Sequence, residues 1–284
     1  MASNLGTHRR FLMKSLLLFI FALCINAKAQ FPFDPATGQW LQTNALGGVN
    51  AGYYAGSATP NLDTIRLGFF AGAGNSFSGT SAVCIGRHAG YDSVADQSVM
   101  VGHAAGQYAG IGGGSASSAV IIGYLAGRNA TMTTPQHAFL SVQIGNEAGT
   151  NTQFAQTGVM VGAWAGRNTT NAQGAVLLGF SAGYHATNAI NSVFIGNQAG
   201  ASFSRNNTLI IESHSGIAPA GVGALIYGEF DTRLIQFGAS QMGFFGSPAV
   251  VRPTVTGSRS DNSALTSLLQ ALHNLGLIDN QTTP

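Results

Sequence analysis

Apolar and small residues recur along most of this chain in an eight-residue pattern. The pattern is a β-branched residue, any residue, an aliphatic residue, Gly, any two residues, Ala and Gly, as in Val83–Gly90 and Val159–Gly166. Eight copies lie within residues 61–200, and a ninth, degenerate copy lies around Ala45–Gly56. The spacing of the copies indicates a period of about 17 residues with short insertions. The structural repeat glycines, the first glycine of each copy, are Gly68, Gly86, Gly102, Gly123, Gly145, Gly162, Gly179 and Gly196.

This repeat is typical of short strands that stack into a coil. Its β-branched and aliphatic positions lie two residues apart, so they share one face of a strand. The first glycine ends the strand, at a positive φ or where another backbone approaches closely, and Ala-Gly offers a small, flat surface for such an approach. One unit is too small to hold a core. The pattern therefore predicts an all-β, repeat-built β-solenoid or β-roll over residues 61–200.

The middle position of the predicted strand is apolar in six of the eight copies. A strand with one face in water carries polar residues at alternate positions. We therefore expect this second face to be covered as well, and in a thin coil the expected cover is another chain. The alternative is a monomeric solenoid that exposes these side chains. The middle residues are Arg66, Cys84, Met100, Ile121, Gln143, Met160, Leu177 and Phe194.

The segments before the repeats have a different composition. Residues 1–29 combine basic residues, the apolar run Leu16–Ile25 and the small-x-small site Ala27–Ala29, which is the layout of a cleavable signal peptide. An N-terminal membrane anchor is the alternative, although the run is short for a bilayer. Residues 30–60, with Phe31 and Trp40, are interpreted as an N-terminal cap or docking segment.

Two further segments follow the repeats. Residues 201–250 predict a strand at Thr208–Glu212 and a β-hairpin cap built from Ala224–Phe230 and Asp231–Gly238. Such a cap covers the open edge of the last coil. Residues 251–284 predict a short helix, with N-cap residues at Asp261–Ser263 and a stop at Gly276. That helix carries one leucine stripe and is stable only when the stripe is buried.

Composition and charge narrow the function classes. The chain has 39 Gly and 8% charged residues but 45% hydrophobic residues, so it is expected to fold. Without residues 1–29 it has 8 Arg, no Lys and 10 acidic residues, a net charge of −2, so its basic pI gives no indication of a nucleic-acid partner. Arg87, Arg128 and Arg167 do not interleave with aromatic residues as they would in a nucleic-acid track, and no nucleic acid is expected as a partner. No membrane span is expected in the mature chain. Cys84 is then the single cysteine, so no disulfide forms within the chain.

Signals of catalysis or ligand binding are weak. Gly179–Gly183 matches the G-x-S-x-G nucleophile elbow with His185 nearby, but Ser181 holds a variable repeat position without strand–helix alternation around it. The histidines lack metal-ligand spacing, and acidic residues such as Glu147 would meet only across chains. We expect no catalytic, cofactor-binding or metal site. Six aromatic residues near the turns have two alternative interpretations, a sugar-binding surface or packing in a core or interface. They are Phe69, Phe70, Tyr124, Trp164, Phe180 and Tyr184.

The repeats, with their Asn- and Thr-rich returns, resemble the β-roll repeats of phage tail fibres and of trimeric autotransporter adhesin heads. Leu225–Phe230 is similar to what often follows such repeats, and Arg252–Arg259 with the leucine-rich segment after it resembles a C-terminal motif of phage fibre proteins. The resemblance covers most of residues 61–284 and implies a homotrimer whose role is attachment. A signal peptide is unusual for a virion fibre, and the membrane anchor of the adhesins is not expected here.

We therefore expect a structural fibre or adhesin-type protein, a homotrimer that attaches to a cell-surface glycan or protein and catalyses no reaction. Its expected location is secreted, at the cell surface, or in the virion if a phage encodes it. One alternative is a monomeric secreted β-solenoid with a polysaccharide- or ice-binding face, although regular Thr-x-Thr ladders are missing. An enzyme such as a tailspike depolymerase is a second alternative. The pattern assigns no receptor-binding residues.

Overall fold

A computed structural model describes residues 41–43, 48–56, 63–74, 80–109, 117–130, 140–213 and 224–282. The predicted signal peptide and most of the predicted N-terminal segment lie outside these residues and stay predictions. The strands are β1 Leu41–Thr43, β2 Val49–Ala51, β3 Ile65–Leu67, β4 Val83–Ile85, β5 Val99–Val101, β6 Val120–Ile122, β7 Val142–Ile144, β8 Val159–Val161, β9 Val176–Leu178, β10 Val193–Ile195, β11 Thr208–Ile211, β12 Ile226–Glu229, β13 Leu234–Phe237, β14 Gln241–Met242 and β15 Val250–Val251. The helix is α1 Ser263–Asn274.

Strands β1–β13 form one sheet in the order of the sequence. From β2 to β11 neighbouring strands are parallel and in register, so that Cys84, for example, pairs with Met100. Each strand is one side of a coil, and turns make up the rest of it. The degenerate copy behaves as the others do, because β2 pairs in register with β3. The predicted fold class is therefore confirmed: a parallel β-solenoid of about eight turns with one short C-terminal helix.

The interior of the coil is filled by the middle strand residue and by alanines such as Ala89 and Ala165. The flanking strand residues are partly exposed, as at Val83 and Ile85. One expectation is therefore wrong, because the coil itself buries the middle residues without a second chain. The Ala of each Ala-Gly pair lies in the core with them. The almost fully buried middle residues are Arg66, Cys84, Met100, Ile121, Gln143, Met160, Leu177 and Phe194.

The two glycines of each repeat meet different steric constraints. The eight structural repeat glycines have φ between +121° and +138° and lie against the backbone of the next coil. A Cβ on Gly86 would lie 2.5 Å from the carbonyl oxygen of Gly102, so both predictions for these glycines are confirmed. The second glycine faces the core. A Cβ on Gly183 would lie 2.8 Å from Cδ1 of Leu177, in the space that the middle side chain occupies.

Hydrogen bonds join the turns of successive coils as well as the strands. The amide of Trp164 donates to the carbonyl of Asn146 at 2.8 Å, and the amide of Gly166 donates to Ala182 in the following coil at 2.8 Å. Side chains add ladders, as where Asn151 Nδ2 donates to Asn168 Oδ1 at 2.9 Å. Each coil therefore depends on both neighbours for its backbone partners.

Antiparallel strands close both ends of this sheet. β1 pairs antiparallel with β2, and the predicted hairpin is present as β12 and β13, which pair antiparallel after β11. Arg205 holds the hairpin through a bidentate ion pair to Glu229, with N–O distances of 2.6 and 2.9 Å. Thr232 Oγ1 donates to the same carboxylate, and this bond is the largest cause that lowers the pKa of Glu229.

Residues 241–282, the C-terminal unit, contain β14, β15 and α1. The predicted helix is present, and Gly276 follows its end at φ +76°. The N-cap residue is Asn262, in the left-handed region and without a side-chain cap bond. Within α1 only Ala271 is buried, whereas Leu265 and Leu268 are exposed. The described part of the chain therefore covers the leucine stripe only in part, because Leu269, Leu272 and Leu275 are half-buried.

Candidate functional site

Two columns of strand side chains form an apolar surface along the solenoid, called the outer face. Every residue of both columns from β2 to β11 is aliphatic, and none carries a charge or a hydrogen-bonding side chain. Ile65 and Val161 are exposed, and the others are partly exposed. One column is Val49, Ile65, Val83, Val99, Val120, Val142, Val159, Val176, Val193 and Leu209. The other is Ala51, Leu67, Ile85, Val101, Ile122, Ile144, Val161, Leu178, Ile195 and Ile211.

The outer face is long and continuous. Ten strands spaced by about 4.8 Å make it roughly 43 Å long, and three-residue strands make it roughly 10 Å wide. It continues onto the capping hairpin, where Ile226, Ile235 and Phe237 pair in the same register. Monomeric soluble proteins rarely expose one apolar patch larger than a few hundred Å². At roughly 430 Å² the outer face is as large as the largest apolar patch of a typical monomer, which is often functional. Its uniformity, with the same aliphatic pair in every coil, is what indicates an interaction site.

Aromatic rings form a second surface beside the outer face, on the turns that follow the first glycines. This aromatic strip consists of Tyr53, Tyr54, Phe69, Phe70, His88, Tyr91, His103, Tyr108 and Tyr124. Consecutive coils are in ring contact throughout: Tyr53 stacks on Phe69 at 5.6 Å between ring centroids, and His103 stacks on Tyr124 at 5.3 Å. In the coils between these two pairs, the ring centroids of Phe70 and His88 lie 5.6 Å apart. Four of the rings are still 40–51% exposed, namely Tyr53, Tyr54, Phe69 and Tyr124.

Polar groups line the same strip. The guanidinium of Arg87 lies 5.7 Å from the ring centroid of Phe69, within cation–π range. Partial burial, and then the charge of Arg87, lower the pKa of His88. The carboxylate of Asp92 is the main cause that raises the pKa of Tyr91. The strip therefore offers ring surfaces together with hydrogen-bond donors and acceptors.

A smaller aromatic group lies further along the solenoid, around Trp164. Its ring is 5.3 Å from Phe180 and 6.3 Å from Tyr184, measured between centroids. Arg167 lies over the Trp164 ring at 5.6 Å, and its Nε is 2.9 Å from Oε2 of Glu147. Two ion-paired side chains thus already occupy the edge of this group. Of the aromatic residues predicted to form a sugar-binding surface, three belong here and the other three belong to the strip.

The two residues of the motif that resembles a nucleophile elbow, Ser181 and His185, do not form a catalytic pair. Ser181 is buried at 4% exposure, in the variable position of its coil with φ +54°. His185 is exposed, and its Nε2 lies 3.3 Å from Nδ2 of Asn168 rather than at the serine. The geometry thus separates the two residues that the motif would need.

Titratable side chains stay dispersed over the coils that the structure describes. Among those residues no three His, Cys, Asp or Glu side chains converge on one point. Asp96 accepts a hydrogen bond from the amide of Thr80, and Glu147 is ion-paired. His137 and His214 lie outside the described residues. No helix in the described ranges is long and apolar enough to cross a bilayer.

The core near the N-terminal end holds a charged side chain. Arg66 is 1% exposed and follows Asn50 in the middle column, with Cys84 next in register. Burial lowers the pKa of Arg66 and raises the pKa of the Cys84 thiol to about 12. A buried, protonated thiol is a poor nucleophile. Cys84 is therefore a core residue and no candidate for chemistry.

No protein-family model, curated protein or solved structure matches this chain. The outer face and the aromatic strip are thus interpreted from their own residues. The sequence pattern showed that the valine and aliphatic columns share one face of the strand, but it did not identify that face as the outer one. The signal that would have found it is the second glycine, which leaves room in each coil for a single strand side chain.

Proposed function

We propose that this chain is a structural fibre or adhesin-type attachment protein that assembles as a homotrimer through the outer face. The observation that supports assembly through the outer face is that both of its columns are aliphatic in every coil from β2 to β11. The role in attachment, to a cell-surface glycan or protein, and the absence of catalysis rest on the resemblance to β-roll fibres and adhesins. The same resemblance supports a secreted, cell-surface or virion location.

A second copy of this chain is the partner that fits the outer face best. The outer face repeats the same two side-chain columns at every coil. The outer face of a second copy has the same spacing from coil to coil, so the two surfaces match along their length. A rotation axis along the solenoid places each coil against the same coil of its neighbours and closes the assembly. Three copies are the number that the resemblance implies. Closure about such an axis gives a rod whose two ends differ, as attachment requires.

The antiparallel ends of the sheet support a rod of defined length. β1 and β13 are the strands at the two edges of the sheet, and they are three and four residues long. Short edge strands are one way in which proteins limit the addition of further strands. Lateral association through the outer face is then favoured over growth from end to end.

The test is the solution mass and shape of residues 30–284, by light scattering and sedimentation velocity. We expect three chains and a high frictional ratio. The double variant Val101→Glu, Ile144→Glu places charges on the outer face, and we expect it to dissociate to folded single chains. Its control is Asn191→Glu, on an exposed turn, which leaves the mass unchanged. A wild-type single chain would overturn the trimer and leave the monomeric solenoid with a polysaccharide- or ice-binding face.

A further inference from the structure

We infer that the aromatic strip is a binding site for a glycan chain that lies along the solenoid axis. This inference rests on the proposed attachment function and names its ligand class and its place. The strip runs from Tyr53 to Tyr124 over five successive coils, which is roughly 19 Å at about 4.8 Å per coil. Its length and narrow width suit an extended chain.

Stacking of the coils does not require aromatic rings at these positions. The column of Tyr53, Phe69 and Tyr124 continues as Asn146, Ala163, Phe180 and Asn197 in later coils of the same fold, so three of these four coils stack without a ring there. The outer face stays aliphatic through those coils, so self-association does not require the rings either. Aromatic residues are thus concentrated where neither folding nor assembly explains them.

The chemistry of the strip matches a sugar chain. A pyranose presents apolar C–H surfaces beside hydroxyl groups, and amphipathic aromatic side chains contact both. The strip contains five of the seven tyrosines of the whole chain, so hydroxyl groups accompany most of its rings. Arg87 and Asp92 add a charged donor and acceptor at its margin.

A protein ligand fits the strip less well. Protein interfaces concentrate their binding energy in a few side chains that fill desolvated central pockets. The rings here are spread along a line, and four of the nine stay 40–51% exposed. A linear polymer contacts such a line at every coil, and its affinity accumulates from repeated weak contacts.

The experiment is native electrophoresis of residues 30–284 in gels that contain one soluble polysaccharide each. The probes are hydroxyethyl cellulose, laminarin, xylan, galactomannan, dextran and a purified lipopolysaccharide O-chain. We expect at least one to retard the protein. The triple variant Tyr53→Asn, Phe69→Asn, Tyr124→Asn uses the residue that Asn146 and Asn197 already place in this column, and we expect its dissociation constant to rise at least tenfold.

The matched control is Phe180→Asn, in the same column but outside the strip, and it keeps wild-type retardation. The inference is overturned if no probe retards the wild type, if the triple variant is retarded as strongly, or if the control loses binding equally. The inference is also overturned if no polysaccharide retards the protein but immobilised gelatin retains the wild type and not the triple variant. That result would assign a protein ligand to the strip. The mass of the triple variant is measured in parallel, so failure of the glycan site stays distinguishable from failure of the trimer.

Discussion

The solenoid and the C-terminal unit bury apolar side chains to very different degrees. Middle strand residues such as Met160 and Leu177 are completely buried between alanines of their own and adjacent coils. The helix α1 is equally clear in the sequence, yet Leu265 is 54% and Leu268 41% exposed, and Phe245 beside the helix is 92% exposed. A repeat supplies its own packing partner every 17 residues or so, whereas a single amphipathic helix must find a partner elsewhere.

The largest effect is expected where a side chain enters the contact between coils. Gly162→Asn places a Cβ 2.6 Å from the carbonyl carbon of Gly179 at a φ of +136°. Backbone strain and overpacking cost about 3 kcal/mol or more of unfolding free energy. Chaotrope titration followed by circular dichroism measures this cost.

The same substitution at Gly174 is the matched control. Gly174 has φ +65°, and Asn191 and Asn207 hold the equivalent position of the next two coils at +53° and +54°. We expect Gly174→Asn to change the unfolding free energy by at most about 0.5 kcal/mol. Equal costs at the two glycines would contradict the distinction between coil contact and turn.

One leucine-to-alanine change in each region sharpens the comparison. Leu177→Ala leaves a cavity in the core and is expected to cost about 2–5 kcal/mol. Leu268→Ala removes an exposed side chain from α1 and is expected to cost less than about 0.5 kcal/mol in the single chain. Both values come from denaturation of single chains, prepared with the charged outer-face variant. If Leu268→Ala lowers the unfolding free energy strongly in the wild-type assembly but not in the single chain, a second copy covers the helix.

A further effect is confined to alkaline pH. The Cys84 thiol ionises near 9.0 when unfolded, but burial raises its pKa to about 12 in the fold. Between these values the unfolded state has released a proton that the folded state retains, so stability falls as pH rises from about 9 to about 12. The difference between wild type and Cys84→Ala isolates this loss from tyrosine ionisation. A pH-independent difference would show that the thiol is accessible to water.

The success of sequence reasoning depended on how local each signal was. The glycines at 68 and 86 predicted the turns because a positive φ is a property of one residue. The hairpin at Ile226–Phe237 and the helix followed from short-range periodicity in the same way. The expectation that another chain covers the middle position was wrong, because alternation shows that two residues such as Val83 and Ile85 share a face but not which face is inside.

The sequence by itself determined the repeat, its period, the solenoid and the positions where only glycine fits, since these follow from local backbone geometry. The tertiary structure decided which strand face is inside. The coil is narrow, alanines line it, and one side chain per turn fills it, so both aliphatic columns must point outward. It also decided that rings as far apart as Tyr53 and Tyr124 in the sequence form one strip. Stacking at a fixed spacing brings equivalent positions of successive coils together, and no local pattern records that contact.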